Sequence, residues 1–92
     1  MYGFRPNPKQ RVVNKVKQLF GRDTKVGVSG ERPSPLDCAR MGISAGTYNV
    51  TCVINGIQVL TANARNWRKA YDLLVIEVEK FYENTLHNTT SV

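Results

Sequence analysis

Two apolar runs that recur at every second position meet at Asn55-Gly56, and this pattern limits the fold more than any other stretch of the chain. Tyr48, Val50, Cys52 and Ile54 lie before the break and Ile57 and Val59 after it, the period of a strand with one buried face. Asn-Gly suits the two positive-φ positions of a tight hairpin turn, so residues 47–62 are expected to form a β-hairpin. A two-residue turn pairs Ile54 with Ile57, Cys52 with Val59 and Val50 with Thr61. That register gathers Tyr48, Val50, Cys52, Ile54, Ile57 and Val59 on one face, which something else in the chain must cover.

Two amphipathic helices are available as cover. Asn7-Pro8 is a helix start, with Asn7 as N-cap and Pro8 at the first helical position, where a missing amide costs nothing. Val12, Val13, Val16, Leu19 and Phe20 then recur at helical spacing, and Gly21 stops the helix. Near the other end, Asn66 caps a longer helix that runs to Tyr82, with Ala70, Leu73, Leu74, Val78 and Phe81 as its stripe. Tyr2 or Phe4 is expected to pack on the domain edge. Residues 24–29, with Val26 and Val28 alternating with polar residues, read as a third, short strand weakened by Gly27. In the long connection that follows, Ser34-Pro35 caps a single helical turn through Leu36 to Met41, closed by Gly42. The architecture expected is α+β, an α-β-β-β-α chain with both helices on one face of a three-stranded antiparallel sheet. The domain spans residues 6–83, and residues 84–92, polar and without period, form a flexible tail.

Charge narrows the function. Thirteen Lys and Arg against seven Asp and Glu give a net charge of +6, which favours nucleic acid or another acidic surface as partner. The polar face of the first helix carries Gln10, Arg11, Asn14 and Gln18 with Lys15 and Lys17 at its flanks, and no carboxylate. A face that serves solubility alone commonly mixes Glu with Lys, so its lack of acid points to an anionic partner. Arg68 and Lys69 sit in the first turn of the second helix, where the helix dipole opposes a cation, and are expected to hold an anion between them.

Other classes fit poorly. No nucleophile-base pair, carboxylate dyad or phosphate-cradling glycine loop is present, so no enzyme and no cofactor are expected. His87 has no Cys or carboxylate at metal-ligand spacing, and Cys38 and Cys52 are expected to be free thiols. Without a long apolar run or a charged-then-apolar leader, an intracellular, non-membrane protein is expected.

Taken with the order of elements, these residues resemble the double-stranded RNA-binding domain family over residues 6–83. The family's first helix opens N-P-x-Q-x-L-N-E, and Asn7-Pro8-Lys9-Gln10-Arg11-Val12 follows it, with Val13 and Asn14 where Asn and Glu are usual. Its second strand alternates F-x-V-x-V before a tight turn, matched by Tyr48, Val50, Cys52 and Asn55-Gly56. Its G-x-G-x-S-K-K-x-A-K run falls on Ala62, Ala64, Asn66, Trp67, Arg68, Lys69, Ala70 and Tyr71. The small residues, the cap and the alanine are kept, while of the clamp lysines only Arg68 remains beside an off-pattern Lys69. The family's G-P-x-H loop motif is missing from residues 30–46, where Arg32 and Arg40 are the available cations.

The resemblance implies a sequence-tolerant module for double-stranded or structured RNA. Gln10, Arg11, Asn14 and Lys15 would meet the minor groove, Arg68 and Lys69 the phosphates, and Arg32 and Arg40 would act from the loop. Trp67 reads as a core anchor or, alternatively, as the replacement for a lost lysine. The weakened clamp raises a second reading, a protein-interaction or homodimerisation version of the same fold. Tyr71, Val75, Ile76 and Tyr82, beside or outside the last helix's stripe, would then be the partner surface.

Overall fold

The computed structural model describes the backbone of residues 7–90 and the side chains of residues 7–86. The expectation for Tyr2 and Phe4 lies outside the described residues. Helix α1, Pro8–Phe20, starts as its caps dictate: Asn7 Oδ1 accepts a hydrogen bond from the Gln10 N–H at 2.8 Å, and Gly21 closes the helix with φ 115°. Strand β1 is Val26–Glu31, two residues later than expected. Thr24 is taken up in the turn after α1, where its N–H donates to the Gly21 carbonyl at 3.2 Å. Lys25 is held at the end of the ladder by Asn55, whose Oδ1 accepts from the Lys25 N–H and whose own N–H donates to the Lys25 carbonyl.

The long connection holds the short helix α2, Pro35–Met41, capped by Ser34 and ended by Gly42 at φ 75°. Cys38 is buried there, apart from the main core. Strands β2, Tyr48–Ile54, and β3, Gln58–Ala64, complete an antiparallel sheet of order β1-β2-β3. Helix α3, Trp67–Thr90, packs on β2 and β3 while α1 packs on β1 and α3, so both long helices cover one face. The α+β, α-β-β-β-α arrangement is as expected, with α2 inserted between the first two strands. Among the described residues no helix is long and apolar enough to cross a membrane.

The hairpin differs from its expected register by one residue. The turn itself forms, with Asn55 at φ 54°, Gly56 at φ 72° and the Ile57 N–H donating to the Ile54 carbonyl at 3.1 Å. Ile57 then stays out of the ladder, and Ile54 pairs with Gln58, Cys52 with Leu60 and Val50 with Ala62. One extra residue turns every later side chain of β3 over. Leu60, Ala62 and Ala64 therefore face the helices, while Ile57 and Val59, expected inside, are 85% and 54% exposed. The expected register would have turned Thr61 and Asn63 into the core without partners, and burying such groups costs more than exposing one Ile and one Val.

The helix-facing core is Val12 and Val16 of α1, Val50, Cys52 and Ile54 of β2, Ala62 of β3, and Ala70, Tyr71, Leu74 and Val78 of α3. Each fully buried Val or Leu stabilises the fold by about 1.5–3 kcal/mol relative to exposure. Ala62 and Ala70 are the small residues that let α3 lie close to the sheet. Below Tyr82 the apolar period ends but the helix does not: α3 continues to Thr90, through residues expected as a tail.

Candidate nucleic-acid interface

Two ion pairs show how the long helices lie. Arg11 meets Asp72 at 2.6 Å and Lys15 meets Glu79 at 3.4 Å, so advancing along α1 also advances along α3 and the helices run parallel. Their N-termini share one end of the domain. Gly30 near the end of β1 lies beneath the first turn of α3, and β2 begins, β3 ends and residues 32–47 are connected at that same end.

This end gathers most of the expected RNA-binding residues but divides their roles. Gln10 and Asn14 stand on the outward face of α1, where Gln10 Nε2 donates to Asn14 Oδ1 at 2.9 Å and both stay exposed. Lys17 and Gln18 are exposed on the same helix. Arg11 and Lys15 are instead turned toward α3 by their carboxylate partners. The acid-free face of α1 pointed to an anionic partner, and for Arg11 and Lys15 the acids come from α3, which spacing within one helix does not reveal. At side-chain exposures of 47% and 45% the Arg11–Asp72 pair is worth at most about 1 kcal/mol, so an incoming phosphate can compete for Arg11.

On α3, Asn66 Oδ1 accepts from the Lys69 N–H at 2.7 Å, as a cap should. Arg68 and Lys69 are both exposed in that first turn and form no ion pair among the described residues. Asp72 lies one turn on and pairs with Arg11, while Glu77, Glu79 and Glu83 lie further along α3. In the connection, Arg40 is 73% exposed on α2 and only loosely paired with Asp37 at 4.0 Å. Arg32 lies 5.5 Å above the Tyr48 ring, a cation-π contact that holds it near the start of β2.

An aromatic cluster at the same end was not anticipated as a unit. Trp67 packs on Tyr48, with ring centroids 4.2 Å apart, and stacks on Tyr71 at 5.9 Å with the rings 18° from parallel. A Cβ on Gly30 would come within 2.4 Å of the Trp67 ring and 2.5 Å of the Tyr71 hydroxyl, so only glycine fits under them. Trp67 is thus an anchor on the sheet, as one of its two readings held, yet it stays 38% exposed. One sequence signal pointed here, the i, i+4 spacing of Trp67 and Tyr71; Gly30 fell just past the expected strand, 24–29, and only the longer β1 places it under the rings. Burial pushes the Tyr71 phenol up from its ordinary pKa and the Cys52 thiol up to about 11, so both remain protonated at neutral pH.

The four residues expected as a partner surface do not lie together. Tyr71 is 4% exposed and belongs to the core, because its ring faces Gly30 and Trp67 rather than solvent. Val75 packs against the core, and Tyr82 sets its ring edge-on to Phe20 at 5.2 Å. Ile76 alone points outward, at 43% exposure. Among the described residues no cluster of His, Cys, Asp and Glu is arranged to hold a metal ion. Comparison with protein-family models, curated proteins and solved structures gave no match to this chain.

Proposed function

We propose that this chain is a divergent double-stranded RNA-binding domain that holds duplex RNA at the end where its two helix N-termini meet. The observation that carries this reading is the parallel pairing of α1 and α3 through Arg11–Asp72 and Lys15–Glu79. It sets the Gln10–Asn14 amide row, the Arg68–Lys69 turn and the connection bearing Arg32 and Arg40 on one end. Amide side chains can meet the 2′-hydroxyls of a shallow minor groove without reading sequence, while cations meet phosphates beside it. The positive ends of two helix dipoles add to the attraction for an anion. Binding of a short RNA duplex across a salt series tests it: measurable affinity at about 50 mM salt that falls steeply toward about 200 mM is expected. No binding at the low end would rule the reading out.

A second reading, a protein-interaction or self-association role, draws on one observation. Val53 and Val59 are paired on the outer face of the sheet, which neither long helix covers, and Ile57 projects beside them. The partner surface is then this outer patch rather than the last helix. Sedimentation showing self-association that Ile57→Ser with Val59→Thr abolishes would support it, and a strict monomer with undiminished partner capture by that variant would exclude it.

A further inference from the structure

The outer face of the sheet, which neither long helix covers, carries no lysine or arginine, although the chain has 13 of them. We infer that a second copy of this chain packs face to face on it, about a two-fold axis that lies along β2, so that the strands of both copies run in the same sense. The inference rests on the self-association reading and deepens it by naming the occupant, its alignment and where the pairing leaves the basic ends.

Register makes this face match itself. Across β2 and β3 the outward pairs are Asn49 with Asn63, Thr51 with Thr61 and Val53 with Val59, like with like at every row. Strand β1 continues the rows with Glu31, Ser29 and Gly27. An interface on a two-fold axis sets a surface against itself, so the groups on it must be able to partner their own kind. Val meets Val by burial, and a hydroxyl or a carboxamide is both donor and acceptor. Among the described residues, the side chains of Asn49, Thr51, Thr61 and Asn63 take no hydrogen-bond partner within the chain, so that capacity is open to a second copy.

Charge and row order select the occupant and its direction. Two copies of net charge +6 repel, and a face free of cations is where they approach at least cost. RNA would meet no cation on it, and a strongly charged partner would meet only Glu31, since Lys25, Arg32 and Arg65 lie beyond the strand ends. With the strands in the same sense the Val row covers the Val row and the Asn row covers the Asn row. The opposite sense would set Asn49 over Val53, which cannot answer its amide. The same sense also brings both basic ends to one end of the dimer, side by side. A three-stranded face of this length offers roughly 300 Å² per copy, under half the ~800 Å² of a standard interface, so the dimer is weak and fills at high micromolar concentration.

The test follows sedimentation of the full chain from micromolar to millimolar concentration, where a reversible monomer-dimer equilibrium is expected. Thr51, at the centre of the face, meets its own copy across the axis. Thr51→Lys and Thr51→Glu should therefore each weaken the dimer by about 10-fold or more, and an equimolar mixture of the two should restore it. An unchanged urea midpoint checks that each variant keeps its fold, and Thr61→Lys, at an exposed position, repeats the weakening if either does not. Direction is read from Asn49→Lys: mixing it with Asn49→Glu should restore the dimer, whereas restoration by Val53→Glu instead would overturn the alignment. Failure of the Thr51 mixture to restore it would overturn the two-fold pairing. Dimerisation unchanged in Thr51→Lys but lost in Ile57→Ser with Val59→Thr would overturn the inference and leave the self-association reading standing. A strict monomer at every concentration, or an association that neither variant touches, would overturn both.

Discussion

At the scale of single residues, the features that matter most are a missing side chain and two borrowed partners. Gly30→Ala would push a methyl to within 2.4 Å of Trp67 and 2.5 Å of the Tyr71 hydroxyl, so the first turn of α3 must shift. A loss of about 1–3 kcal/mol is expected from overpacking, with a change in Trp67 emission, readable in one urea titration followed by fluorescence. Asp72→Asn should do the opposite of a structural lesion. Losing a surface pair costs at most about 1 kcal/mol, while freed Arg11 should tighten RNA binding and steepen the log-log salt slope by about 0.9, the value of one added phosphate contact. An unchanged slope would mean that Arg11 serves only the helix pair. Cys52 sets a pH dependence of definite sign. Its thiol is held protonated to about pH 11 in the fold, against an ordinary value of 9.0, so its stabilising effect is complete below that ordinary value and is lost as pH rises through the folded one. The urea midpoint should therefore fall between about pH 8 and about pH 10.5, and fall less in Cys52→Ala. Tyr71, also raised by burial, acts in the same direction.

At the scale of elements, the hairpin shows where local pattern reaches and where it stops. Asn55-Gly56 gave the turn, because both residues must adopt positive φ and few other pairs do so cheaply. It could not give the register, since a single extra residue at Ile57 is decided by which side chains the helices can cover. Ala62 and Ala64 accept the close approach of α3, and Thr61 and Asn63 would not. The consequence is measurable: Ile57→Ser should change stability by no more than about 0.5 kcal/mol, whereas Leu74→Ala, at a fully buried position, should cost about 2–5 kcal/mol. A large loss at Ile57 would restore the two-residue register. The caps of α1, α2 and α3 were legible for the same reason as the turn, because Asn7, Ser34 and Asn66 each act on an amide three residues away. The end of α3 was not, as residues beyond Tyr82 lack an apolar stripe and only the helix already formed carries them on.

For the whole molecule, the candidate site is made less by any single motif than by the parallel alignment of two helices, Pro8–Phe20 and Trp67–Thr90, whose starts are 59 residues apart in sequence. Gln10, Asn14, Arg68 and Lys69 were each visible as polar residues with the right chemistry. Their shared end, the pairing of Arg11 and Lys15 with α3, and the aromatic cluster all depend on contacts between distant elements. Tyr71 illustrates the gap: helical spacing placed it at the edge of a stripe, and Gly30, on another element, is what draws it inward. The most direct test of the account is chemical-shift mapping of the full chain with an RNA duplex at about 50 mM salt, where phosphate contacts are strong. The account predicts that Gln10, Asn14, Arg68 and Lys69 move together while the outer-face residues Thr51, Thr61 and Val59 stay still; movement confined to the outer face, or none at all, would contradict it.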